Sequence, residues 1–369
     1  MSTTTRFALI GCGVIGQTHA KSIAALGNRA QLVLTVDELA DRAEKLAANY
    51  GAEHTTSVPE ALARDDVDAV AVCTPSGLHA DAAVAALDAG KHVVVEKPID
   101  VTVEAALRVH AAEQRSGKTV TVISQHRFDP SSQLVHRAIG DGRLGRITSG
   151  VASIAWWRGQ DYYDSGDWRG TWQLDGGGAL MNQGIHTIDL LVWMLGEPVD
   201  VFAYTGCLAH RSIEVEDTAA VTIRFASGAL GIVHGTTAAY PGLTARLQVH
   251  GDRGSAIIDN DALTYFHAAD GAGQAPSYGA DGDGNQAELV LPNNGPAVAA
   301  GSDPAALSDA HADQYRDFIE AITQRRAPLV TVAEASRTLA VIRAIYESAR
   351  SGAPVATTAP LAVTGEKPA

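Results

Sequence analysis

The chain has 369 residues, three cysteines and a formal net charge of −14, a length that exceeds what one hydrophobic core usually supports and so predicts two domains. Its basic residues are scattered without a stripe and no apolar run approaches a membrane span, which argues against nucleic acid and membrane partners. Cys12, Cys73 and Cys207 are too few and too widely spaced for a disulfide framework, and Met1-Ser-Thr-Thr-Thr-Arg6 lacks the apolar core of a signal peptide, so reduced thiols and a cytoplasmic protein are expected.

In chain order, Arg6-Phe-Ala-Leu-Ile10 reads as a short apolar strand. It runs into Gly11-Cys-Gly13-Val14-Ile15-Gly16, a GxGxxG turn that opens a helix, and a second apolar run, 31–36, ends on Asp37. Strand, glycine turn, helix, strand and acid is the layout of a dinucleotide site. Gly11 makes the tight turn, Gly13 lets a pyrophosphate approach the backbone, and Gly16 lets the helix pack against the sheet. The helix start at Val14 and Ile15 offers unpaired N–H groups to phosphate. Asp37 can accept from both ribose hydroxyls and would repel a 2′-phosphate, which favours NAD over NADP.

Further strands are predicted at 68–73, 92–95 and 119–124 with helices between them, one opened by the capping box Ser57-Val-Pro-Glu60. Such alternation implies a parallel sheet covered on both faces. After residue 126 the rhythm changes. A helix near 131–140 precedes strand-like runs at 146–156, 199–208, 215–225, 229–238, 244–251 and 255–259, with one long helix at 179–195. This reads as an α+β domain with an antiparallel sheet. The Gly-, Ala-, Asp-, Asn- and Pro-rich stretch 269–304 predicts a mobile surface loop around one short strand, 287–291. Two strong helices follow, from about Ser308 and over 332–349. The expected division is 1–125, 126–355 and a frayed tail, 356–369.

Two motifs carry chemistry beyond the glycine turn. His92-Val-Val-Val-Glu96-Lys97-Pro98 ends a buried strand on an acid and a lysine. Ligands of open parallel sheets bind beyond the strands' carboxyl ends, so the Lys97 ammonium can stabilise a developing alkoxide there. By itself a strand-end lysine is more often a surface residue. The second motif runs from Gly176-Gly-Gly178 through Asn182 and His186 to Asp189. On a helix, Asn182, His186 and Asp189 fall at i, i+4 and i+7, one polar stripe beside an apolar one. His186 suits a general base, while a histidine tied to Asp189 in a structural role is the plain alternative. No third ligand completes a metal set with His186 and Asp189, so no metal is expected. Between the motifs, Trp156-Trp157-Arg158, Tyr162-Tyr163 and Trp168-Arg169-Gly-Thr-Trp172 alternate aromatic and charged groups, a composition suited to a sugar ring, with Tyr163 among its substrate contacts.

These motifs, with Cys73-Thr74-Pro75, His79 and Arg127-Phe128, resemble the glucose-fructose oxidoreductase and inositol dehydrogenase (Gfo/Idh/MocA) family over nearly the whole chain. The resemblance implies an N-terminal Rossmann domain and a C-terminal domain with a large open, mostly antiparallel sheet that builds homodimers and homotetramers. It implies an NAD-dependent dehydrogenase for a secondary hydroxyl of a sugar, anhydrosugar, glycoside or polyol. Lys97 and His186 would be its catalytic pair, assisted by Asn182. Thr74, Pro75, His79, Glu96, Lys97, Trp168 and Arg169 would join Gly11, Gly13, Val14, Ile15, Gly16 and Asp37 around the cofactor. Lys97, Arg127, Tyr163, Asn182 and His186 would meet the substrate. The family often carries aspartate where this chain has Asn182, and an amide cannot take a proton, so proton transfer falls on His186. An NADP(H)-dependent keto-sugar reductase, a nucleotide-sugar 3-dehydrogenase and a non-catalytic dinucleotide sensor are the alternatives.

Overall fold

A computed structural model describes residues 4–269, 284–292, 308–357 and 361. Six parallel strands, β1 (Thr5–Ile10), β2 (Ala30–Val36), β3 (Glu53–Thr55), β4 (Ala69–Val72), β5 (His92–Val95) and β6 (Val120–Val122), lie in the order β3-β2-β1-β4-β5-β6. Helices α1 (Val14–Ala24), α2 (Ala40–Tyr50), α3 (Val58–Leu62), α4 (His79–Asp88) and α5 (Val103–Ser116) connect them. The central strands are apolar without alternation because both faces are covered: Phe7, Ala8 and Leu9 are fully buried, as are Val70, Ala71 and Val72. The order reverses between β1 and β4, so the loops after β1, β4 and β5 open onto one crevice. The Ser57 half of the predicted capping box forms, its hydroxyl accepting from the Glu60 N–H, while the Ser57 N–H is taken by the Thr55 hydroxyl, which donates to Glu60.

After α6 (Pro130–Gly140), a second sheet is built from β7 (Ile147–Ala155), β8 (Pro198–Gly206), β9 (Thr218–Phe225), β10 (Leu230–Thr236), β11 (Ala245–Gly251), β12 (Gly254–Asp259), β13 (Ala262–Ala268) and β14 (Val355–Ala356). Its order is β13-β12-β11-β7-β10-β9-β8-β14, antiparallel except for the β7–β10 pair. Strand β9 alternates cleanly: Ala219, Val221, Ile223 and Phe225 are buried, while Ala220, Thr222 and Arg224 face out. The buried face meets α8 (Ile185–Leu195), and the open face shows Tyr204, Leu230 and Ile232. The short α7 (Gln160–Asp164) sits in the aromatic-rich segment between β7 and α8.

The structure departs from the sequence reading at several points. Residues 287–290 are not a strand but a short helix, α9 (Ala287–Val290). The Asn285 side chain accepts from Ala287 N–H and Gln286 bonds the backbone of β13, which turns the chain away from the sheet edge. The rest of the predicted 269–304 loop lies largely outside the described residues. Strand β13 was not expected. Asn260 and Asp261 both take positive φ (50° and 65°), forming a two-residue hairpin turn that returns the chain beside β12. The predicted 179–195 helix is two pieces, a wide π turn at Ala179–Gly184 and then α8. Finally, α10 (Ser308–Gln324) crosses back to the first layer, where Tyr315 and Phe318 pack on Phe7 with ring centroids 5.4 and 6.3 Å apart. The last helix, α11 (Val332–Ser351), packs against β8, α5 and α8.

Candidate active site

The glycine turn fits a dinucleotide. Gly11 has φ +98° and a Cβ there would strike the Cys73 carbonyl. A Cβ on Gly16 would strike the Gly11 carbonyl, whereas the space over Gly13 is open. Helix α1 starts without a side-chain cap and without an acid in its first turn, and Val14 is 62% exposed, so its N–H groups can take a pyrophosphate. Asp37 closes β2 with one oxygen accepting from Cys12 N–H (2.8 Å) and the other from Leu39 N–H (3.0 Å), which leaves lone pairs on both for a ribose. The Thr74 hydroxyl, beyond β4, is buried with no hydrogen-bond partner. Such an orphan at the strand's carboxyl end suits a cofactor contact.

Beyond β5, Glu96 is buried. It accepts from His19 of α1 (2.9 Å) and from the Lys97 N–H, and it lies 3.6 Å from His311 of α10. His19 also bonds the Tyr315 hydroxyl. Despite its burial, these donors hold the Glu96 carboxyl well below the usual carboxylate range. The acid therefore fixes the strand end that presents Lys97 and joins three elements, a structural task not legible in the motif. His79 is also structural. Its two ring nitrogens bond the Pro98 carbonyl (2.7 Å) and the Thr74 carbonyl (2.8 Å), so it staples two loops and lies 1% exposed instead of reaching a cofactor.

Lys97 reaches across to the π turn. Its Nζ donates to the Asn182 carbonyl (2.9 Å) and approaches the Asn182 Oδ1 (3.4 Å). Burial lowers the Lys97 pKa, with Glu96 opposing. The wide turn matters because π geometry re-aims groups that a regular helix would keep in its own ladder. Glu216, preceding β9, anchors this turn by accepting from Gly178 and Leu180 N–H groups.

The Asn182 amide donates to Asp175 Oδ1 (2.7 Å), so Asp175 sets which way that amide points. Burial pushes the Asp175 carboxyl up to about 6, against the pull of Gly170 N–H and Lys97. Asp175 and Gln183 were not singled out from the sequence, and Tyr162 was read only within the aromatic segment; the signal for Asp175 was its place directly before the three glycines. Asp175→Asn is expected to lower kcat/KM about tenfold and to remove an acid limb near pH 6, because the wild type loses this carboxylate as pH falls through that value. A pH series of initial rates for both proteins checks it.

His186 shares one small cavity with Lys97, lined also by Ile123, Ser124 and Thr338. Its other side borders a second cavity with His126, Trp156 and Asp261, and its ring stands edge-on to His126 at 5.2 Å. Burial, then the Lys97 charge, hold His186 well below its ordinary pKa, so the imidazole is neutral at neutral pH. His126 is protonated between Asp129 (2.7 Å) and Asp261 (3.1 Å). Two clusters, His126–Asp129–Asp261 and His19–Glu96–His311, have the side chains to hold a cation, though each is knit by histidine–carboxylate contacts.

Asp189 lines the same small cavity as His186 and Lys97, so the expected stripe keeps one face, but its carboxylate pairs with Arg127 and not with His186. Asp189 turns to Arg127, which donates to it through Nε (2.7 Å) and Nη2 (2.8 Å), and it also accepts from Ser124 and Thr338. Arg127 is 1% exposed, with Glu334 on its remaining side, so it is committed to this buried network and not open to a substrate. Tyr163 is corrected as well: it is buried, with its hydroxyl on Thr237. Its neighbour Tyr162 faces the site, 2.9 Å from Gln183 Nε2 and 3.5 Å from Asn182 Nδ2. Arg169 lies over Tyr162 and Trp168, with centroid distances of 4.2 and 4.6 Å.

Residues 5–124 match the oxidoreductase family with an NAD-binding Rossmann fold, and residues 132–257 match the GFO/IDH/MocA C-terminal domain. The chain belongs to the GFO/IDH/MocA oxidoreductase family. Among relatives in that family, inositol 2-dehydrogenase of Rhizobium meliloti is 33% identical over 280 residues, 73% of this chain and 80% of that protein. Levoglucosan dehydrogenase of Pseudarthrobacter phenanthrenivorans is 28% identical over 388 residues, covering 92% and 95%. The crystal structure of the WlbA dehydrogenase from Bordetella pertussis, in complex with NADH and UDP-GlcNAcA, is similar with a TM-score of 0.83 at 33% identity, over 96% of this chain and 98% of that one. The GFO/IDH/MocA chain described here is thus an NAD-binding oxidoreductase acting on alcohol groups, and its relatives are sugar and polyol dehydrogenases. None of its helices, among the described residues, is long and apolar enough to cross a membrane.

Proposed function

We propose that this enzyme oxidises a secondary hydroxyl on the ring of a sugar, anhydrosugar, glycoside or polyol: the carbinol and NAD⁺ give the ketone, NADH and a proton. The observation that carries the reading is the Lys97 Nζ held on Asn182 at the carboxyl end of β5, with His186 near enough to feel the lysine charge. When bound, NAD⁺ supplies the hydride acceptor. The neutral His186 imidazole takes the hydroxyl proton. The Lys97 ammonium, aimed by the Asn182 carbonyl and Oδ1, stabilises the oxygen as negative charge develops on it. Asn182, oriented by Asp175, holds both the lysine and the substrate oxygen. Tyr162 offers a ring face and a hydroxyl beside them. On the same reading the apolar open face of the second sheet, with Tyr204 69% exposed, pairs copies of a cytoplasmic homodimer or homotetramer.

The test is NADH absorbance with a panel of inositols, sugars, anhydrosugars and glycosides at alkaline pH. Turnover of at least one ring alcohol is expected. NADH from none of them, with NAD binding intact, overturns the assignment.

A further inference from the structure

In this acidic chain arginines generally find carboxylates: Arg6 pairs with Asp68, Arg64 with Glu53 and Asp66, Arg127 with Asp189 and Glu334, Arg224 with Asp200. Arg158 does not. Its guanidinium donates to the Trp157 carbonyl (3.0 Å) and to Gln183 Oε1 (2.8 Å), both neutral, and it lies over Trp156 and Tyr162 at 5.3 and 5.5 Å from the ring centroids. No carboxylate among the described residues forms an ion pair with it. Arg169 is in the same position on the nearer side of Tyr162, 4.2 Å from the centroid.

These two cations stand at the site already described. Arg158 joins it through a short polar chain: Gln183 Oε1 accepts from the arginine, Gln183 Nε2 donates to Tyr162, and the Tyr162 hydroxyl is the neighbour of Asn182. Both guanidiniums are close enough to act on the Lys97 ammonium. Three cations therefore converge on one crevice; Glu96 acts on Lys97 from behind the strand end, and Asp175, bonded to Asn182, acts on it from the π-turn side. Like charges in a partly buried crevice repel each other strongly, and a guanidinium held there by neutral acceptors keeps most of its fork free. An anion that enters the crevice relieves both costs. Guanidinium geometry suits the two oxygens of a carboxylate or phosphate.

We propose that the substrate carries an anionic group, a carboxylate or a phosphate ester, that docks on Arg158 while the ring hydroxyl lies between Lys97 and His186. This rests on the dehydrogenase reading above and narrows its substrate class. Tyr162 packs under the ring between the two ends, and Gln183 holds the arginine at the reach this requires. The anion is a feature of the substrate and not of the cofactor, whose pyrophosphate belongs at the α1 N-terminus after β1, a strand that β4 separates from β5.

The experiment compares kcat/KM for matched pairs: glucose against glucuronate, which tests a carboxylate, and glucose against glucose 1-phosphate and UDP-glucose, which test phosphate. The same pairs are run with Arg158→Gln and Arg158→Lys. At least one charged member is expected to exceed its neutral partner by about tenfold or more, with a KM that rises with salt. That charged-to-neutral ratio should fall about 10- to 100-fold in Arg158→Gln, as for the loss of a hydrogen bond to a charged group, and be partly restored in Arg158→Lys. Turnover of neutral members with no preference for charge, or an unchanged ratio in Arg158→Gln, overturns the anion site and leaves the dehydrogenase standing. NADH from neutral ring alcohols of the broader panel above but from no charged member overturns the anion site alone, and NADH from neither panel overturns both.

Discussion

His186→Gln is expected to lower kcat by about 10²- to 10⁴-fold, the range for removing a positioned general base, while NAD affinity stays within about twofold. The imidazole lines the cavity shared with Lys97, and no described group of comparable basicity stands in for it there. Asn182 is an amide, Asp189 is tied to Arg127, and His126 is protonated between two acids. The held-down pKa of His186 fixes the sign of its pH dependence. The neutral form is the competent one and is already present at neutral pH, so protonation of His186 itself lowers activity only in a medium more acid than the ordinary histidine range, beyond the separate Asp175 limb at about pH 6. Lys97→Met should cost about 10²- to 10³-fold, the scale of losing a donor aimed at a developing oxyanion. The glycine turn and Asp37 lie on other loops, so both variants should retain NAD by fluorescence or calorimetric titration. Turnover within threefold of wild type in either variant would remove that residue from the chemistry.

The cofactor half of this site could be read from the chain because its geometry is local. A strand, a glycine turn and a helix start are contiguous, and each glycine answers a steric demand that shows in the residue type: Gly11 and Gly16 have no room for a Cβ. Lys97 and His186 were equally legible as residues at a strand end and on a helix. Their convergence was not, because it depends on how the π turn at Ala179–Gly184 is set, and no residue there announces five-residue hydrogen bonding. The regular helical count did carry Asn182, His186 and Asp189 toward Lys97, but it could not show that Asp189 is claimed by Arg127, which comes from a distant turn. Asp175 and Arg158 were hidden for a related reason. They act through Asn182 and Gln183, and contacts between a loop and a turn leave no periodic trace. Tyr162 and Tyr163 are adjacent, and composition alone could not say which one faces inward.

Arg127→Met should be the most destabilising of the simple substitutions, at about 3–5 kcal/mol, because it strands the carboxylates that the arginine neutralises. Asp189 and Glu334 side chains are 5% and 12% exposed, so water cannot replace the lost partner. Ser124 and Thr338 still donate to Asp189, which softens the loss, but neither carries charge. The guanidinium also lies 5.2 Å from the Trp193 ring centroid, so packing between Arg127, in the turn Gln125–Phe128, and helix α8 is lost with it. The pH dependence separates this cause from a simple packing defect. In the wild type Arg127 depresses the Asp189 pKa, so its contribution is present above the unfolded value and is lost only as pH falls below it. In Arg127→Met, burial is opposed only by the Ser124 and Thr338 hydroxyls and raises the Asp189 pKa above the unfolded value, so the folded variant takes up a proton first as the solution is acidified. The gap between wild type and variant, measured as denaturation midpoints in urea, should therefore be widest near pH 7 and narrow toward pH 5. A pairing of Arg127→Met with Asp189→Asn should recover part of the loss at pH 7. A gap that stays constant with pH, with no recovery in the double variant, would mean that the arginine acts through its volume and not its charge.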